Sequence, residues 1–309
     1  MGLRCKDIVS IRDLGKEEIQ LVLELAKDYV DVAKGHKNSD NLKGTILSAL
    51  FIEPSTRTRL SFESAINRLG GKYLDISGPE GSSLVKGESL ADTIRMAACY
   101  SDIIVLRHPQ EGAARMASLF SEKPVINAGD GAGQHPTQTL LDLFTIQEAC
   151  GSIEGKEIVL MGDLKYGRTV HSLSFALALF GAKVSFLAPP ELQMPEEVVD
   201  HLGDIGVKPR VFTKIDDIIP EADILYVTRI QKERFPDENE YLRVAESYQI
   251  TLETLTNAKK DMKILHPLPR NLEIHPDVDS TDHALYFKQA FNGVPVRMAL
   301  LKLLSEVEK

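Results

Sequence analysis

The sequence predicts an α/β protein: two doubly wound parallel-sheet domains with an active site in the cleft between them. Short apolar runs alternate with amphipathic stretches along the whole chain, as strands alternating with helices do. The alternation begins afresh after Gly151, which divides it into two series. A chain of 309 residues with 43% hydrophobic content can fill two cores of ordinary size.

The elements follow in order. TILSALFI (45–52) reads as a strand, and SFESAINRLGG as a helix with Phe62, Ala65, Ile66 and Leu69 on one face and glycines to stop it. KYLDI, SLADTIRMAACY, DIIVLR, AARMASLF and PVINAG continue the alternation, and the longer helix TQTLLDLFTIQEAC ends at Gly151. The second series starts with EIVLMGD and a helix through HSLSFALALFG. It continues through KVSFLAPP, a helix near PEEVVDHLGDIG, KPRVF, ADILYVTR and MKILHPLP. The closing stretch ALYFKQAFNGVPVRMALLKLLSEVE is helical, with an expected interruption at Gly293-Val294-Pro295. The expected domains are 1–150, with helix 289–309 returning to pack on it, and 151–288.

Composition narrows the function. With 36 Lys and Arg against 45 Asp and Glu, the net charge of −9 disfavours general nucleic-acid binding. The three cysteines, Cys5, Cys99 and Cys150, are scattered and form no C-x-x-C, so buried reduced thiols are expected. The charged start MGLRCKDIVSIRDLG does not resemble a signal peptide, and no long apolar run suggests a membrane span. A soluble, cytoplasmic protein is the expectation. No H-E-x-x-H or carboxylate cluster points to a metal.

In open parallel sheets, ligands bind beyond the carboxyl ends of the strands, where helix N-termini also point. The first strand is followed by Ser55, Thr56, Arg57 and Thr58; IIVL by Arg107 and His108; PVINAGDGAG by His135 and Gln138. In the second half, Arg168 follows IVLMGD, Arg229 and Gln231 follow ILYVT, and His266 to Arg270 follow KIL. Cations and hydrogen-bonding groups at so many strand ends call for a strongly anionic ligand. Taken alone, Ser55 or Thr56 reads as an ordinary helix cap beside solvated arginines, and Lys86 as a solvated loop lysine. Among the eight histidines, His108, His171 and His266 read as loop-orienting or packed, whereas His135 stands between a glycine-rich turn and a helix. A dinucleotide dehydrogenase is the first rival, yet no G-x-G-x-x-G is complete, and VSFLAPP lacks the acidic residue that would hold a ribose. A non-catalytic anion sensor is the second.

SALFIEPSTRTRLSFESA resembles the carbamoyl phosphate signature of the carbamoyltransferase family. KGESLADT, HPTQTLLDL, MGDLKYGRTVHSL, TRIQKERF and HPLPR are similar to its aspartate-specific branch. Ornithine-specific members usually place a cysteine where Pro267 stands, and Arg168 with Arg229 suits a dicarboxylate acceptor better than an ammonium tail. The resemblance implies transfer of the carbamoyl group of carbamoyl phosphate to L-aspartate, in de novo pyrimidine biosynthesis, with no cofactor and no metal. It makes 1–150 the carbamoyl phosphate half and 151–288 the aspartate half. It also implies that Ser55, Thr56, Arg57 and Thr58 hold the phosphate, and that Arg107, His135 and Thr58 meet the carbamoyl oxygen. Gln138 and the carbonyls of Leu268 and Pro269 would hold the carbamoyl NH2. Arg168, Arg229 and Gln231 would bind aspartate, with Lys86 and either Ser82 or Ser83 entering from a neighbouring subunit of a homotrimer. Some members of the family bind separate zinc-bearing regulatory chains and are allosteric; TRIQKERF and the chain length resemble those.

Overall fold

A computed structural model describes residues 2–78, 83–230, 237 and 248–307. Among them the chain divides into two compact units, Met1–Phe144 with Phe291–Lys309, and Thr145–Ala290. The first crossing falls within helix α5 and the return within the last helix.

In the first unit the order is α1 (Lys16–Ala33), β1 (Ile46–Phe51), α2 (Thr56–Arg68), β2 (Lys72–Ser77), α3 (Leu90–Tyr100), β3 (Ile103–His108), α4 (Ala113–Phe120), β4 (Val125–Asp130) and α5 (Pro136–Cys150). The strands form one sheet ordered β2-β1-β3-β4, every pair parallel. Helices α3 and α4 cover one face, where Ile94, Ala97 and Ala117 meet Leu50, Ile104, Leu106 and Val125. Helix α2 buries Phe62, Ala65 and Ile66 as its spacing predicts, and Phe62 alone is worth about 1.5–3 kcal/mol of burial. Residues 16–33, which the strand–helix alternation leaves unassigned, form α1, whose Ile19, Val22, Leu23 and Ala26 are fully buried.

The second unit continues with β5 (Glu157–Met161), α6 (Arg168–Leu179), β6 (Lys183–Leu187), α7 (Glu196–Asp204), β7 (Arg210–Phe212), β8 (Ile224–Val227) and β9 (Lys263–Leu265). Its sheet, ordered β7-β6-β5-β8-β9, is also wholly parallel. In both units the strand order reverses direction once, between β1 and β3 in the first and between β5 and β8 in the second. These reversals create the crevices where doubly wound sheets take their ligands.

Two expectations need correction. Helix α8 (Tyr286–Ser305) runs unbroken through Pro295. Proline forfeits one intrahelical hydrogen bond, but Val296, Met298, Ala299, Leu300 and Leu301 are fully buried and hold the helix in place. The cysteines are unbonded, but none of them is buried: Cys5 and Cys150 are half-buried and Cys99 is exposed. Cys99 is exposed because it lies on the outer side of α3, away from Thr93, Ile94 and Ala97.

Candidate active site

The first crevice is built from three loops of the first unit. Leaving β1, the chain is pinned by the Arg107 carbonyl, which accepts from the backbone N–H of Ile52 at 2.9 Å and of Glu53 at 3.3 Å. Helix α2 then begins with Ser55 as its extended N-cap residue. The sequence suggests a side-chain cap here, but the Ser55 hydroxyl makes no capping hydrogen bond. Capping by Ser55 would satisfy one of the orphan N–H groups of the first turn; without it, those groups and the hydroxyl remain suited to an anion. Thr58 is buried in that first turn, while Arg57 is exposed.

Arg107, next to last in β3, is 9% exposed. Its Nη1 donates to the Ala128 carbonyl at 2.9 Å and its Nη2 to Glu53 Oε1 at 3.1 Å, so the guanidinium is held rigidly. Desolvation, and then the Arg107 charge, hold the Arg57 guanidinium below its ordinary pKa. The two like charges are near enough to disfavour each other, a cost that a nearby anion would relieve.

His135 is buried at the start of α5, and its carbonyl accepts from the N–H of Gln138 at 3.0 Å. The turn before it is tied down by Asp130. Its Oδ1 accepts from Asn127 Nδ2 and the Gln134 N–H, and its Oδ2 from the Gly112 N–H, all at 2.8–2.9 Å. Gln138 points its amide nitrogen at Asp142 Oδ1, 2.9 Å away.

In the second unit, Arg168 opens α6 after β5, and Arg229 follows β8. The ends of these adjacent strands are pressed together. Thr228 donates to the Met161 carbonyl from both its N–H, at 2.8 Å, and its hydroxyl, at 3.0 Å. Gly162, at φ +115°, has no room for a Cβ against the Thr228 carbonyl. After β9 the loop carrying Leu268 and Pro269 is anchored by two buried groups. His266 Nδ1 accepts from the Leu268 N–H at 2.8 Å, and His266 Nε2 donates to Glu273 Oε1 at 2.8 Å. Glu273 Oε2 accepts from the Asn271 N–H at 3.1 Å. Leu268 sits at φ +58°, a backbone region costly for leucine, which these bonds help to hold.

Ser55, Thr56, Arg57, Thr58, Arg107, His135 and Gln138 therefore share the carboxyl edge of the first sheet. Arg168, Arg229, Leu268 and Pro269 share that of the second. Lys86 is exposed in a short 3-10 turn, Ser83–Lys86, ahead of α3. Ser82 and Gln231 lie outside the described residues, as does the side chain of Ser83. Among the described residues no group of three or more His, Cys, Asp or Glu side chains could hold a metal ion. Among the described residues no helix is long and apolar enough to cross a membrane. Glu53 and Asp130 stand at strand ends, but their supporting roles, like those of Asp142 and Glu273, do not follow from that position. Asp142 alone carries a signal, standing one helical turn after Gln138 in HPTQTLLDL.

Cationic groups gathered at the switch points of two parallel sheets define an α/β protein suited to anionic ligands on each of its units. Comparison with known proteins gives the family. Residues 6–148 match the carbamoyl phosphate binding domain of aspartate/ornithine carbamoyltransferases, and residues 154–304 match their aspartate/ornithine binding domain. The chain belongs to the aspartate/ornithine carbamoyltransferase family. It is 56% identical over 303 residues to the aspartate carbamoyltransferase catalytic subunit of Thermococcus kodakarensis, covering 98% of each chain. It also resembles the solved catalytic subunit of M. jannaschii aspartate transcarbamoylase, with TM-score 0.93, 51% identity, and 97% and 98% of the two chains covered. A Trypanosoma cruzi aspartate transcarbamoylase, solved in complex with carbamoyl phosphate and aspartate, matches at TM-score 0.88 and 39% identity over 96% and 95% of the chains.

Proposed function

We propose that this chain transfers the carbamoyl group of carbamoyl phosphate to L-aspartate, giving N-carbamoyl-L-aspartate and phosphate for pyrimidine biosynthesis. The observation that carries the reading is the edge of the first sheet. There the helix N-terminus at Ser55–Thr58, Arg57, rigid Arg107 and buried His135 all lie at the carboxyl edge of the sheet that has its switch point between β1 and β3. The aspartate nitrogen attacks the carbamoyl carbon, the new C–N bond forms, and the bond to the phosphate oxygen breaks with its electron pair leaving on phosphate. The departing phosphate takes the proton that the amine loses. Ser55, Thr56, Arg57 and Thr58 hold the phosphate. Arg107, His135 and Thr58 donate to the carbamoyl oxygen as charge grows on it, and such preorganised donors commonly dominate catalysis. Gln138 and the carbonyls of Leu268 and Pro269 accept from the carbamoyl NH2. Arg168, Arg229 and Gln231 bind the two carboxylates of aspartate by charge-assisted bonds.

The working form is a cytoplasmic homotrimer in which Lys86 serves a neighbouring subunit's site. The exposed edge strand β2 supports association, since Tyr73 and Leu74 on it and Leu60 on α2 are 38%, 46% and 51% exposed. Bare apolar edges of this kind are normally covered. Arg57→Ala tests the reading of the phosphate site. Turnover at saturating carbamoyl phosphate should fall at least about a hundredfold with the fold intact by circular dichroism. Activity within about threefold of the unmodified protein would remove Arg57 from its role.

A further inference from the structure

We propose that Asp142 is a positioning residue that fixes which end of the Gln138 amide faces the substrate, and thereby selects a carbamoyl group over acyl groups lacking an N–H. The inference rests on the reading of carbamoyl phosphate as substrate and asks how the site recognises its NH2 end.

Gln138 and Asp142 stand four residues apart on α5, on one helix face. Gln138 is half-buried and Asp142 fully buried, and the amide nitrogen lies 2.9 Å from Asp142 Oδ1. An ionised carboxylate can only accept hydrogen bonds. The NH2 end of the amide must therefore be the end turned inward, and Oε1 the end left to a ligand. That oxygen complements a carbamoyl N–H. A reversed amide would set its own NH2 against the carbamoyl NH2, donor facing donor.

A carboxylate with no solvent contact needs a counter-charge. Arg297, reaching from α8, provides it. The guanidinium is 3% exposed, donates from Nη2 to Thr137 Oγ1 at 3.1 Å, and lies 5.0 Å from the centre of the Phe62 ring. Burial pulls its pKa down to about 9 and the charge of Asp142 pulls it back up, so it stays protonated at neutral pH. One turn earlier on α8, a Cβ on Gly293 would overlap Arg297 Nη1, so a larger residue there would displace the guanidinium. Asp142 and Arg297, 155 positions apart, thus lie near enough for their charges to act on each other, and Thr137, next to Gln138 in the chain, is hydrogen-bonded to Arg297 directly.

The test compares two phosphates that differ only at the selected group. Carbamoyl phosphate presents NH2 and acetyl phosphate presents CH3. Their dissociation constants are measured by calorimetric titration for the unmodified protein, Gln138→Ala, Asp142→Asn and the double variant Asp142→Leu/Arg297→Met. The double variant removes both buried charges together and so avoids stranding Arg297 unpaired. The preference for carbamoyl over acetyl phosphate should fall about threefold in Asp142→Asn, whose amide can face either way. It should fall by a similar factor in the double variant, where the amide is again free to turn, and about tenfold in Gln138→Ala, the worth of one hydrogen bond. Acetyl phosphate binding should stay within about twofold throughout. Preference lost in Gln138→Ala but kept in both Asp142 variants would overturn the role of Asp142 and leave the proposed reaction standing. Equal weakening of both phosphates would also overturn it, since Asp142 would then support the fold of the site rather than the polarity of the amide. An unmodified protein that binds neither phosphate would instead remove the reaction itself.

Discussion

Replacing Glu273 by glutamine changes one atom of a buried side chain and should destabilise the second unit. Its two carboxylate oxygens serve two different donors, His266 Nε2 at 2.8 Å and the Asn271 N–H at 3.1 Å. A glutamine has one acceptor and one donor end, so one of these N–H groups must face an NH2. His266 cannot turn to help, because its Nδ1 already accepts from Leu268. A hydrogen bond to a charged group is worth about 1.5–3 kcal/mol, and an unsatisfied buried donor costs about as much again. Allowing for relaxation, the deficit should be about 3 kcal/mol, which for a unit of this size lowers the melting temperature by about 6–12 °C.

The pH dependence has a defined sign. Desolvation pushes the Glu273 carboxyl up, but the His266 hydrogen bond and the backbone N–H groups outweigh it, leaving the carboxyl below its ordinary value. A lowered acid stabilises the fold above the pKa it has when unfolded and loses that contribution as pH falls through the folded value. The gap between the two proteins should therefore be constant from neutral pH down to about 5 and narrow below about 4.5. Scanning calorimetry at pH 7 and at pH 4 measures both. A midpoint at pH 7 within about 2 °C of the unmodified protein, or a gap that widens in acid, would refute the reasoning.

Two further outcomes test the assigned roles. Arg229→Ala should weaken aspartate binding by at least about tenfold while carbamoyl phosphate affinity stays within about twofold, as titration with each ligand would reveal; equal losses would separate Arg229 from the acceptor. If the proposed trimer shares its sites, inactive Lys86→Ala and His135→Ala proteins mixed by reversible denaturation should regain roughly a quarter of normal activity, because each mixed trimer would have one interface with both residues intact. Tagged hybrids that co-purify and stay inactive would show that Lys86 does not serve a neighbouring chain.

The parallel sheets and most of their helices were legible because alternation of apolar runs and amphipathic stretches is a local property. The positions of Arg57, Arg107, His135, Arg168 and Arg229 at or just beyond strand ends were legible for the same reason, and strand ends are where such sheets carry ligands. Groups that act through distant partners were not. Nothing around Asp142 announces Arg297, and nothing in HPLPR announces that Glu273 will hold both His266 and Asn271. Pro295 misled because its local effect on a helix is real, while the burial that outweighs it comes from residues far away in sequence. Ser55 misled in the opposite way: its position as the N-cap is local and correct, but the sequence cannot show where its hydroxyl points.

The most direct measurement gives the purified protein carbamoyl phosphate with equimolar L-aspartate and L-ornithine in one vessel and identifies the products by mass spectrometry. Arg168 and Arg229 at the switch point of the second sheet favour a dicarboxylate, so N-carbamoyl-L-aspartate should form with one phosphate released per carbamoyl group, in at least about a hundredfold excess over citrulline. Citrulline as the main product, or phosphate release with neither amino acid modified, would contradict the account.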